Sequence, residues 1–309
     1  MRDLFLKTLK DEAAQDEAVM FLTGDLGFSV IEPFVAEFPD RFLNVGVAEQ
    51  NLIGVATGLA QEGFKTVCYS IGNFPTLRPL EQIRNDAAYH NANVKVVCVG
   101  GGFSYGALGM SHHATEDLSI LRALPNITVL APATDAEVVA CTQHMLRTPG
   151  VFYLRLERAS APIPEGHDDA AVEIGRLRTI LPGGTDVTFI ACGGVLGAAI
   201  GAAQALAGDG IKAGVVSAHT IKPLDAEGLR SIMGTSRAVI TVEENTILGG
   251  LGGAVAETVL EFGMALPRFA RAGISDTYTA VVGDQGYLKD LYGLNAESLA
   301  RKAKTLLNA

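Results

Sequence analysis

No run of apolar residues in this 309-residue chain reaches the ~18 in succession that a membrane-crossing helix takes. There is no block of Lys and Arg of the kind that follows a phosphate backbone, and 24 basic against 34 acidic residues leave a formal charge of −10. Nucleic acid is therefore not an expected partner. The opening MRDLFLKTLKDEAAQDE is charged and amphipathic, with neither the apolar centre nor the small-residue cleavage site of an export signal, so a cytoplasmic protein is expected. Cysteine is scarce and scattered. Cys68, Cys98, Cys141 and Cys192 form no C-x-x-C pair, three of them (Cys68, Cys98, Cys192) sit in strand-like runs, and buried free thiols are expected.

What remains is a chain made for burial, 48% hydrophobic and only 19% charged. Its length exceeds the size at which one core usually stops growing, which favours two domains. Short β-rich runs alternate with helical patterns: AVMFLTGD, NLIGVATGLAQEGF, TVCYSI, LRPLEQIRNDAAY, VKVVCVGGG, EDLSILRALP, TVLAPA, DAEVVACTQHMLR, VFYLRL. Strand, helix, strand at these lengths predicts βαβ units and an open, mostly parallel sheet. APIPEGHDDA, Ala161 to Ala170, interrupts with two prolines, a glycine and charges, as a linker does. A second α/β series follows, from TDVTFIACGG to RFARAGI. The expected division is an α/β domain over 1–160, a linker over 161–174 and a second α/β domain over 175–309.

Glu49 in NVGVAEQN stands between an apolar run expected to be a buried strand (RFLNVGV) and a helix. Leu52, Val55, Ala56, Leu59 and Ala60 mark one face of that helix. By position alone Glu49 is an acid in a first helical turn, favoured by the helix dipole. GGLGGAVAE lacks full G-x-G-x-x-G spacing, because Val255 stands three after Gly252, and reads as a closely packed helix start. GDG at Gly208 to Gly210 lies between a helix and a strand, where a plain turn suffices. His112 and His113, with Glu116 and Asp117 close behind, make a poor metal set, because adjacent histidines on a helix point about 100° apart. They follow VGGGFSYGALGMS at the carboxyl end of the strand VKVVCV, which is where open parallel sheets bind ligands.

FLTGDLGFS, NVGVAEQNLIGVATGLA, LRPLEQIRNDAAY, GMSHHATEDLSILRALPN, VLAPATDAEV, FYLRLERASAP, VEENTILGGLGGAVAE and GDQGYLKDLYGL, in this order, resemble the transketolase family of thiamine-diphosphate enzymes. The resemblance covers essentially the whole chain and implies the family's pyrimidine-binding domain followed by its C-terminal domain. The family's amino-terminal domain, with a metal ion at GDG and a later Asn holding the cofactor diphosphate, has no counterpart, which implies half an active site.

The resemblance places Glu49 at the glutamate that contacts N1′ of the aminopyrimidine. There a carboxylate shares a proton with the ring, so that its exocyclic nitrogen can take the proton of the thiazolium carbon. Phe74 matches an aromatic stacked on the pyrimidine, though by itself it reads first as a core residue. Ile71 stands where many members carry another aromatic, and Asp25 and Arg78 fall at the cofactor. Arg2, Ser29 and Arg158 match positions that hold a sugar phosphate; read without the family they are surface or interface polar groups. His112 matches the active-site histidine, with His113 a weaker candidate. Two positions depart: Leu108 replaces the Asp of E-D-G-x-T-H, which reads an acceptor hydroxyl, and Gly100 replaces a phosphate-side histidine. Losing a hydroxyl-reading carboxylate changes substrate discrimination strongly and points to a modified or deoxy sugar.

The chain is thus identified as the C-terminal subunit of a split transketolase. Two copies would pair with two of a partner that binds Mg2+ or Ca2+, as an α2β2 assembly acting on sugar phosphates, the C-terminal domain supplying dimer contact and shape. Two alternatives stay open: the β subunit of a 2-oxoacid dehydrogenase, and a non-catalytic subunit that kept the fold.

Overall fold

A computed structural model describes residues 1–166 and 171–308. The first half runs α1 (Arg2–Ala13), β1 (Val19–Thr23), α2 (Glu32–Glu37), β2 (Phe42–Asn44), α3 (Glu49–Gln61), β3 (Lys65–Ile71), α4 (Leu80–Gln82), β4 (Val94–Val99), α5 (Asp117–Ala123), β5 (Ile127–Leu130), α6 (Asp135–Arg147) and β6 (Val151–Leu156). The second runs β7 (Arg178–Leu181), β8 (Val187–Ala191), α7 (Leu196–Gly208), β9 (Ala213–Ser217), β10 (Thr220–Lys222), α8 (Ala226–Thr235), β11 (Ala238–Thr246), α9 (Leu251–Leu260), β12 (Arg268–Ile274), α10 (Gln285–Leu291) and α11 (Ala296–Asn308). Two mostly parallel sheets result, as expected.

The first sheet has the order β10-β5-β6-β4-β3-β1-β2, and the second β12-β11-β8-β9-β7. The strands VKVVCV and VFYLRL are buried along all six residues because helices cover both faces. One face packs α1, α2 and α6 through Phe5, Leu9, Phe34, Val138 and Met145. The other packs α3 and α5 through Leu52, Ile53, Leu118 and Leu121, and continues without a break into Leu229, Leu251 and Val255 of α8 and α9. The far face of the second sheet carries α7 and α11. All four cysteines are buried free thiols.

Several expectations need adjustment. RFLNVGV is not a long buried strand: β2 is three residues at the sheet edge, paired with β1 alone, and Leu43 is exposed. The fully buried residues of α3 are Glu49, Leu52, Ile53, Ala56 and Thr57, while the expected Val55, Leu59 and Ala60 pack half-buried against the same core. Thr57 tolerates burial because its hydroxyl donates to the Ile53 carbonyl at 2.8 Å. LRPLEQIRNDAAY begins helical after Pro79 but continues over Ile83–Ala88 as a π-helical turn. β7 and β10 were not foreseen. β10 lies beyond the linker in sequence yet pairs antiparallel with β5 of the first sheet, Thr220 opposite Leu130. Within the expected linker, residues 167–170 lie outside the described residues.

Candidate active site at the carboxyl ends of the first sheet

The turn after β2 delivers Glu49 as the first residue of α3, where the helix dipole favours its negative charge. It is only 5% exposed. Arg78 Nη1 donates to Glu49 Oε1 at 2.7 Å, and among the described residues the second oxygen has no hydrogen-bond partner. The guanidinium of Arg78 also lies 4.0 Å over the ring of Phe74, and Phe74 meets the ring of His112 at 5.2 Å and 65°. His112 is brought there by close backbone contact: at Gly72, φ +51°, an added Cβ would lie 2.9 Å from the His112 carbonyl oxygen. Asn73 fastens the same approach by donating its amide to the His113 carbonyl. Glu49, Arg78, Phe74 and His112 thus form one connected group drawn from three loops.

His113 is not part of it. Its ring is buried, edge-on to Phe103 at 5.3 Å and with Nε2 at 3.2 Å from the Gly106 carbonyl, so it faces the protein interior. Asp25 is brought to Asn44 instead of Glu49: the Asp25 N–H donates to Asn44 Oδ1 at 2.9 Å, and Asn44 Nδ2 donates back at 3.2 Å. Ile71 lines an adjoining cleft with Arg2, Gly27, Phe28, Tyr69 and Tyr105.

Two larger clefts share lining residues with it. One, of about 360 Å³, is lined by Arg2, Val99, Tyr105 and Arg158. The other, of about 760 Å³, is lined by Tyr105, Leu108 and Arg158 with Asp284, Gln285 and Gly286. Tyr105 is the wall common to all three. It also accounts for Gly100, where an added Cβ would run into the Tyr105 ring: the tyrosine fills the volume a side chain at position 100 would need. Burial pushes the Tyr105 phenol up, while the charges of Arg2 and Arg158 draw it back. Arg2 is paired with Asp3 at 2.8 Å; Arg158 is exposed and makes no ion pair among the described residues. Ser29 lies on a further cleft with Arg2, Lys7 and Lys10. Leu108, 58% exposed, presents an apolar wall. The structure therefore brings Arg2, Arg158, Leu108 and Tyr105 together, with Ser29 adjacent.

Sequence reasoning missed Tyr105, Asn44, Asn73 and the segment Asp284–Gly286. Nothing local distinguishes a tyrosine in FSYG as a wall residue, and Asp284–Gly286 arrives from the second domain, which was expected to supply only contact and shape.

A buried acceptor beside a half-buried aromatic fits a flat, weakly basic heterocycle, the chemistry of an aminopyrimidine. Among the described residues no group of three His, Cys, Asp or Glu side chains could hold a metal ion.

Comparison with known proteins bears on both halves of the chain. The family model described as the transketolase pyrimidine binding domain matches residues 1–164, and that of the transketolase C-terminal domain matches 176–299. The 6-deoxy-6-sulfo-D-fructose transketolase subunit SqwH of Clostridium sp. (strain MSTE9) is 37% identical over 98% of this chain and 93% of its own. One of the subunits of the apulose-4-phosphate transketolase of Phocaeicola vulgatus is 35% identical over 98% of this chain and 96% of its own. A solved structure described as a split gene transketolase, inactive beta4 tetramer, superposes with a TM-score of 0.90 at 34% identity, covering 99% of this chain and 98% of the other.

Proposed function

The chain belongs to the transketolase family, and we propose that it is the subunit supplying the pyrimidine side of a thiamine-diphosphate site. It acts with a partner subunit that carries the diphosphate and metal domain, and transfers a two-carbon ketol unit from a ketose to an aldose. The observation that carries this reading is the buried Glu49 carboxylate, held through one oxygen by Arg78 beside Phe74.

When bound, the cofactor supplies a nucleophilic carbon for ketose carbonyls. The chain's own residues prepare for it. Glu49 uses its open oxygen to share a proton at N1′ of the pyrimidine, Phe74 offers a flat face, and Arg78 keeps both in place. His112, beside Phe74 and hydrogen-bonded through Nδ1 with Ser111 Oγ at 3.0 Å, exchanges protons with substrate hydroxyls. Arg2 and Arg158 take the anionic far end of the sugar, with Tyr105 lining the same cleft and Ser29 nearby. Leu108 offers no hydrogen bond to a substrate hydroxyl, which suits a deoxy or otherwise modified sugar. Two relatives named for a sugar phosphate and a sulfo-sugar support such an anion-ended substrate.

Dependence on a partner is supported by the description of a related subunit as an inactive beta4 tetramer. The assembly is an α2β2 heterotetramer in the cytoplasm, with Mg2+ or Ca2+ on the partner. The test is reconstitution with that partner, and turnover of phosphorylated and sulfonated ketoses against pyruvate. The Glu49→Gln complex should lose about 10²-fold or more in kcat. Full activity of that variant, or turnover of pyruvate alone, would overturn the reading.

A further inference from the structure

The loop 100–114, which carries Tyr105, Leu108 and His112, leaves the first sheet but is held by the second domain. Gly102 and Ala114 close its base by exchanging hydrogen bonds of 2.8 and 3.0 Å. Phe103 N–H donates to Glu244 Oε1 at 2.5 Å, Thr246 N–H donates to the Thr115 carbonyl at 2.7 Å, and Arg155 Nη2 donates to the carbonyls of Ala114 and Glu244 at 3.2 and 2.7 Å. Phe103 stacks on Tyr292 at 5.3 Å. Gly106 leaves no room for a side chain: an added Cβ would lie 2.5 Å from Leu288 and 2.6 Å from the Gly283 carbonyl.

At the centre of this seam two carboxyl groups from different domains, Glu157 and Glu244, are buried to 2% and 1% exposure. Both accept from one nitrogen, Gln285 Nε2, at 3.3 Å for Glu157 and at 3.0 and 3.1 Å for Glu244. Lys289 Nζ lies 4.0 Å from Glu244; Arg155 contributes opposite charge but is itself paired with Asp117 at 3.5 Å. Glu243, the next acid on β11, bonds instead to the start of α9. Two buried carboxylates this close resist ionising together. Burial pushes both up, Glu244 to about 7 with the charge of Glu157 as the next cause.

We propose that Gln285 is a positioning residue: its amide bridges Glu157 and Glu244, and so fixes the substrate loop 100–114 against the second domain, making α10 a determinant of acceptor recognition. An amide is suited to this task because it donates twice without adding charge. The link to acceptor recognition rests on the proposed ketol transfer, whereas the ordering of the loop does not.

The test is hydrogen exchange on the full chain, with two variants. Gln285→Met keeps the volume and removes both donors. Gln285→Glu adds a third carboxyl that can donate only while protonated. Amides of 101–113 should exchange about tenfold faster in Gln285→Met at every pH, and in Gln285→Glu near pH ~8 but not near pH ~5.5. In the reconstituted complex, KM for the acceptor should rise several-fold in Gln285→Met, with kcat and thiamine diphosphate binding little changed. Wild-type protection of the loop in both variants at pH ~8, or faster exchange spread evenly over the whole chain, would overturn the proposal. A wild-type complex that turned over no sugar would refute the ketol transfer, while the exchange data would still decide the role of Gln285.

Discussion

Arg78 gives one nitrogen to Glu49 and its flat face to Phe74, two tasks that a lysine cannot combine. Arg78→Lys should therefore keep the charge but release the geometry, weakening thiamine diphosphate binding by the reconstituted complex about tenfold, as titration calorimetry would read. Undiminished affinity would show that Glu49 and Phe74 hold their places unaided. At this scale the sequence was legible where a motif carried a residue: Glu49, Phe74 and His112 stand in stretches whose order is distinctive, and the structure draws them together. It was illegible where a neighbour in space decides the matter. Gly100 looked like a lost side chain, and only the Tyr105 ring lying over it shows that its volume is filled. His113 shares its motif with His112, but consecutive residues of an irregular turn face opposite ways.

At the scale of elements, the glycine-rich start of α9 is closed from within. The N–H groups of Leu251 and Gly252 donate to Glu243 at 2.7 and 2.8 Å, so an internal carboxylate occupies what could otherwise receive an external anion. Burial outweighs these bonds and pushes Glu243 up to about 7. A carboxyl raised in the folded state holds its proton more tightly there than in the unfolded chain. Its contribution is full below the ordinary value of about 4.5 and is lost as pH rises through about 7. Glu243→Gln should flatten this part of the pH profile, so that stability by urea unfolding falls less between pH ~5 and ~8 than in wild type; an unchanged slope would place the titration elsewhere. The parallel strands of the first sheet were readable because burial on both faces leaves an unbroken apolar run, as in VKVVCV. β7 and β10 were not, since four and three residues carry no periodicity of their own and are strands only by virtue of antiparallel neighbours.

For the molecule as a whole, large apolar side chains remain uncovered near the carboxyl ends of the first sheet: Phe28 and Val47 are each 70% exposed, on the loops that flank Asp25 and Glu49. In the proposed assembly, covering them against further subunits would also complete the cofactor site. Val47→Asp should leave the thermal midpoint of the lone chain nearly unchanged, since an exposed side chain supports little of the fold. It should weaken assembly with the partner about tenfold or more, as sedimentation would detect. Assembly indifferent to that charge would move the interface to another face. β10 bears on the order in which the molecule can be made. A ribosome releases β1 to β6 well before Thr220, and until that residue emerges β5 ends the sheet with its outer N–H and C=O groups unanswered. The first half of the polypeptide is born with an open seam that only its second half can shut.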